Sequence, residues 1–207
     1  MNLKQIAPGE IEKRSFEIIE EEVGRELDPV LKPIIKRVIH TTADFSYADT
    51  LFFSENAVEK GLQALREGVS IITDTNMGRA GINKKKLEKY GGKVHCFMAD
   101  EDVAAAALAQ QTTRAAVSMD KAAAMQEDFI FAIGNAPTAL IRLYELIQEE
   151  KIRPRLIIGV PVGFVNVVEA KELILTAGVP VIVARGRKGG SNIAAAICNA
   201  MLYQGGR

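Results

Sequence analysis

Apolar residues along this chain follow two periods in alternation. Short, nearly continuous runs come at "VSIIT" (69–73), "KVHCFM" (93–98), "DFIFAIG" (128–134), "RLIIGV" (155–160) and "VPVIVA" (179–184). Each is the length of one strand and rich in β-branched or aromatic residues. Between them, "SENAVEKGLQALREG" and "APTALIRLYELIQEE" repeat their apolar positions at three and four, the helical period. Strands alternating with helices predict parallel pairing through right-handed crossovers. The expected fold is therefore α/β, a single three-layer α/β/α domain around a mostly parallel central sheet of about five strands. Strands apolar on both faces fit a sheet covered on both sides. One domain over residues 1–207 is expected, with two or three helices within about 8–67 and an α/β core over about 68–203. The terminal "QGGR" reads as a loose tail.

Charge and composition narrow the classes of partner. Lys plus Arg and Asp plus Glu both number 26 in 207 residues, so the basic excess usual in nucleic-acid binders is missing. No apolar run reaches the ~18–20 residues of a membrane span. The stretch "MNLKQIAPGEIEKRSFE" has polar and charged residues where a signal peptide carries its apolar segment, so a cytoplasmic location is expected. Cys96 and Cys198 are too few for a disulfide framework or a zinc site, and their apolar neighbours predict buried thiols. No metal-ligand cluster is visible in the sequence.

The candidate chemistry lies in the loops after the strands. "DTNMGRAGIN" follows 69–73, "GNAPTAL" follows 128–133, "PVGFVN" follows 155–160 and "RGRKGGSN" follows 179–184. In a parallel sheet these loops converge at the carboxyl ends of the strands, where open α/β folds bind ligands. Pro137 suits the first turn of a helix, and Ser191 can open the last one. Helix N-termini favour anions, and Arg79, Arg185, Arg187 and Lys188 add positive charge. "GNAPTAL" and "GRKGGSN" are each expected to present backbone N–H groups to an anion. The ligand implied carries several phosphates or carboxylates. Neither a Walker loop nor a Gly-x-Gly-x-x-Gly fingerprint supports phosphate. Each loop alone is explained by turn chemistry; four in register are harder to explain that way.

One of two histidines lies in "RVIHTTADF". Residues 33–44 read as a helix with Ile34, Ile35, Val38 and Ile39 on its apolar face. Arg37, His40 and Asp44 then fall close enough to form one polar cluster, provided the helix reaches Asp44. Histidine is the side chain suited to moving protons near neutral pH. A solvated face carrying ordinary charges explains the same spacing. His95, inside "KVHCFM", reads as a core or sheet-face residue, and no nucleophile motif accompanies either histidine.

Across almost its whole length the chain closely resembles the precorrin-8X methylmutase family. "KRSFEII", "RVIHTTAD", "ITDTNMGRAGI", "TTRAAV", "AIGNAPTAL", "GVPVGFVNVVEAKE" and "GRKGGSNIAAA" carry the resemblance by their order and spacing. It implies an isomerase of cobalamin biosynthesis that moves a methyl group from C-11 to C-12 of a tetrapyrrole, formally a 1,5-sigmatropic shift, without an external cofactor. The family's acid–base histidine falls on His40, its substrate-contacting serine and arginine on Ser15 and Arg37, and the arginine of its "TR" motif on Arg114. The loops add Thr75, Asn76, Arg79, Asn135, Thr138, Gly163, Phe164, Lys188, Gly189, Gly190 and Ser191 as candidate substrate contacts. A polycarboxylate tetrapyrrole fits the anion crevice inferred above. "IHTTAD" looks more like the branch that takes a cobalt-containing substrate, with any cobalt carried by that substrate. The resemblance also implies a homodimer.

Three rival readings fit the same residues. A corrinoid carrier without chemistry would have the same crevice and differ only in turnover. An enzyme of nucleotides or phosphosugars would bind phosphate esters. A scaffold whose glycine-rich loops are mere turns would bind no small molecule.

Overall fold

A computed structural model describes residues 7–205. It is a three-layer α/β/α domain built on a six-stranded sheet. The strands are β1 (Leu51–Phe53), β2 (Ser70–Thr73), β3 (Val94–His95), β4 (Phe129–Ile133), β5 (Leu156–Gly159) and β6 (Val181–Ala184), in spatial order β1-β6-β5-β4-β2-β3. All neighbours are parallel except β1, which runs antiparallel to β6 with Leu51 opposite Ala184.

Alternation along the central strands divides the core. Ile71, Ile130, Ile158 and Ile182 face one apolar cluster; Ile72, Phe131, Ile157 and Val183 face the other. Helices α2 (Lys32–Thr42), α4 (Ala57–Arg66) and α11 (Ser191–Gln204) cover the first face. Helices α7 (Glu101–Ala109), α8 (Arg114–Ala124), α9 (Pro137–Gln148) and α10 (Val167–Ile174) cover the second. Burial on both faces is why these strands read as continuous apolar runs. Helix α1 (Ile11–Val23) lies outside this frame and packs on α2. The remaining short helices are α3 (Tyr47–Thr50), α5 (Asn76–Gly81) and α6 (Lys84–Glu88).

Several expectations are corrected. The sheet has six strands, because "LFF" pairs at the edge; three residues are too few to show a period. Four helices, not two or three, precede β2. "KVHCFM" contributes only Val94 and His95 to the edge of the sheet. Helix α2 ends at Thr42, since Ala43 turns left-handed (φ 53°) and closes the helix by donating to Ile39 O. Asp44 is therefore off the helix. Gln204 of the presumed tail is helical, and Gly206 and Arg207 lie outside the described residues. Pro137 and Ser191 do open α9 and α11, and both cysteines are buried, the Cys198 thiol being pushed up to about 12 by burial.

Candidate functional site

The loops after β2, β4, β5 and β6 meet at the carboxyl edge of the sheet. The chain steps from β2 out to β3 and returns on the far side of β2 as β4, so the switch point lies between β2 and β4. Here the buried carboxylate of Asp74 accepts from the backbone N–H groups of Gly134, Asn135 and Ala136 at 2.9, 2.8 and 2.6 Å. This corrects an expectation: the "GNAPTAL" amides are engaged by the protein's own anion. Burial raises the Asp74 carboxyl above its ordinary value, and the three amides pull it back down. The one signal of this role along the chain is an aspartate directly after a strand. The partners lie about sixty residues on.

Around that knot, hydroxyls join the loops. Thr75 caps α5, accepting from Gly78 N–H at 2.9 Å, and its Oγ1 lies 2.7 Å from Ser191 Oγ at the start of α11. Thr138 Oγ1 lies 2.8 Å from Thr113 Oγ1, the cap of α8, and so fixes Arg114 beside α9. Asn76, Arg79, Arg114 and Asn135 are exposed there. Gly163 and Phe164 sit on the next loop, where Phe164 is 82% exposed and the Arg187 guanidinium lies 5.6 Å from its ring centre. Gly189 is wedged in: a Cβ there would stand 2.2 Å from Val160 O. Gly190, at φ 142°, needs a conformation that side chains disfavour. The edge thus gathers Thr75, Asn76, Arg79, Asn135, Thr138, Gly163, Phe164, Lys188, Gly189, Gly190 and Ser191, with Arg114 joined through its threonine. Lys188 is not a free cation, for its Nζ bonds Asp44 at 2.6 Å and Ser46 at 3.0 Å.

His40, Ser15 and Arg37 lie along α1 and α2 instead. His40 is exposed in the last turn of α2, in a cavity of about 250 Å³ that it shares with Ser15, Ile19, Ala43 and Phe45. The edge of the Phe16–His40 pair is T-shaped, with ring centres 5.4 Å apart. The expected Arg37–His40–Asp44 cluster does not form. Arg37 turns to Glu12 and donates to both carboxylate oxygens at 2.9 and 3.1 Å, while Asp44 turns to Lys188. The Arg37 fork holds the Glu12 carboxyl below its usual range. Arg37 also lies over the rings of Phe16 and Tyr203, at 4.8 and 5.3 Å, in a neighbouring groove. His95 is half-buried beside Phe97 and Phe129, and desolvation lowers its pKa. Among the described residues, no three His, Cys, Asp or Glu side chains come together to hold a metal.

Fold and site define an α/β protein with polar loops gathered at the carboxyl edge of its sheet and a histidine-bearing cavity against its N-terminal helices. Residues 10–204 match the model of the family described as precorrin-8X methylmutase. The chain is 45% identical to the cobalt-precorrin-8 methylmutase of Salmonella typhimurium, over 95% of each chain. It is 37% identical to the precorrin-8X methylmutase of Pseudomonas aeruginosa, over 92% of this chain and 93% of that one. A crystal structure of the precorrin-8x methyl mutase from Thermus thermophilus superposes with a TM-score of 0.86 at 39% identity, covering 95% of this chain and 97% of that one. The chain belongs to the precorrin-8X methylmutase family, and is an isomerase of cobalamin biosynthesis that transfers a methyl group within one molecule.

Proposed function

We propose that the enzyme moves the methyl group of a tetrapyrrole from C-11 to C-12, with His40 as the acid–base group. Cobalt-precorrin-8 is the favoured substrate, giving cobyrinate, because identity to the cobalt-branch relative exceeds that to the metal-free one. Precorrin-8X, giving hydrogenobyrinate, is the other form to assay. Any cobalt belongs to the substrate.

The carrying observation is His40 itself: an exposed imidazole in a lined cavity at a helix C-terminus. His40 gives a proton to the conjugated ring. Electron density is drawn from the ring, the C-11–methyl bond breaks as the C-12–methyl bond forms, and the proton then returns to His40. No proton, electron or atom is gained overall. Acid–base help of this kind contributes ~10²–10⁴-fold, with the remainder from holding the macrocycle in the reactive geometry. Arg37 and Ser15 border the same helices, and the sheet-edge loops would receive the peripheral carboxylates. A homodimer and a cytoplasmic location complete the proposal, both carried by the family alone.

The test is turnover of both substrates, followed by the change in tetrapyrrole absorbance. His40→Ala is expected to fold normally, because the side chain is exposed, and to lose roughly 10²-fold or more in rate. A variant turning over near the wild-type rate removes His40 from the chemistry. No turnover of either substrate by the wild type would leave the corrinoid carrier.

A further inference from the structure

Lys171 is the one charged side chain among the described residues with no solvent exposure that carries a full cationic group into the core. It belongs to "VVEAKE" of α10, and no role in proton transfer falls on it. Its Nζ donates to Gly186 O and Lys188 O, each at 2.8 Å. Arg187 O, between them, accepts from Gly163 N–H at 3.2 Å. Three consecutive carbonyls of the β6–α11 loop thus turn toward the β5–α10 segment. No peptide bond here is cis. In a trans peptide the N–H points opposite to the carbonyl of the same unit. The N–H groups of Arg187, Lys188 and Gly189 therefore point away from Lys171, on a loop whose residues 187 and 188 are exposed. Among the described residues, none of these three donates to a protein acceptor.

We infer that Lys171 is a positioning residue: by holding two loop carbonyls inward it turns the amides of Arg187, Lys188 and Gly189 outward as a donor set for one peripheral carboxylate of the substrate. The inference rests on the proposed tetrapyrrole substrate. It also separates two of the loops at the sheet edge. At "GNAPTAL" the amides are filled by Asp74, whereas at "GRKGG" a buried cation engages the carbonyls and leaves the amides open. Burial lowers the Lys171 amine to about 8, which leaves it largely protonated at neutral pH. Gly189, pressed against Val160 O, fixes the end of the same loop.

The probe is hydrogenobyrinate, which is metal-free and suited to amide NMR. In the wild type its addition should shift the Arg187, Lys188 and Gly189 amide resonances. Lys171→Met keeps the buried aliphatic length and removes the donors. It should bind hydrogenobyrinate about tenfold or more weakly, yet bind the peripherally amidated corrinoid as the wild type does. Unmoved amides at millimolar hydrogenobyrinate would overturn the inference, and they do so whether or not the variant folds. Equal loss of acid and amidated ligand would assign Lys171 to general packing. Responding amides in a wild type that turns over neither substrate would sink the proposed reaction and leave the role of Lys171 standing.

Discussion

Lys171→Met should change the pH dependence of stability as well as its value at pH 7. The Lys171 amine is lowered from 10.5 to about 8 in the folded protein, by burial. The folded state thus binds that proton less readily than the unfolded chain. Its penalty is full below pH 8, shrinks between 8 and 10.5 and is gone above 10.5. The gap corresponds to up to ~3 kcal/mol at pH 7, and nearer ~2 kcal/mol once screening by water along the exposed loop is allowed for. Methionine removes the penalty and also leaves Gly186 O and Lys188 O without their donor, at ~1–3 kcal/mol each. The two lost donors together outweigh or match the relief at pH 7, so the variant should be ~0–4 kcal/mol less stable than the wild type there. At pH 10.5 only the loss remains, and the variant should be about 2 kcal/mol less stable relative to the wild type than at pH 7. Urea unfolding of both proteins at several values from pH 7 to 10.5 measures the difference, and other titrating groups cancel in it. A difference constant to within ~0.5 kcal/mol across that range would refute the buried, depressed ammonium.

Three further outcomes are expected. Gly189→Ala puts a Cβ 2.2 Å from Val160 O, a backbone atom that cannot step aside, and should cost roughly 2 kcal/mol or more in chemical denaturation; an unchanged midpoint would show that the loop shifts freely. Asp74→Asn replaces an acceptor of three amides with a group that must turn an N–H toward one of them, lowering stability by ~1–3 kcal/mol and loosening Asn135, which hydrogen exchange at Gly134–Ala136 would detect. Glu12→Gln takes the carboxylate from the Arg37 fork, so affinity for hydrogenobyrinate should rise if that guanidinium meets the substrate, as titration by absorbance would read; unchanged affinity would leave Arg37 as the anchor of α1.

Much of the frame was legible in the order of residues. β2, β4, β5 and β6 announce themselves because both faces are buried and nearly every position must be apolar. Pro137 and Ser191 mark helix starts by local chemistry that needs no distant partner. The meeting of the loops at one edge followed from parallel pairing, which alone gathers them there. The family motifs lie in the same loops, in α1 and α2, and, for "TTRAAV", at the start of α8.

What the sequence could not contain was who holds whom. Arg37 and His40 share a helix, yet Arg37 is held by Glu12 across the α1–α2 contact, and one left-handed residue, Ala43, sends Asp44 to Lys188. "GNAPTAL" and "GRKGGSN" look alike as turns before a helix, but Asp74 engages the amides of one and Lys171 the carbonyls of the other. A lysine in an amphipathic helix reads as solvated; only the packing of α10 under the β6–α11 loop removes Lys171 from water. Periods, caps and strand lengths are set by neighbours a few residues apart and are written in the sequence. The polarity of a backbone surface depends on which buried charge the tertiary fold brings to it, and that was settled only when helices and loops from distant parts of the chain came to share one sheet edge.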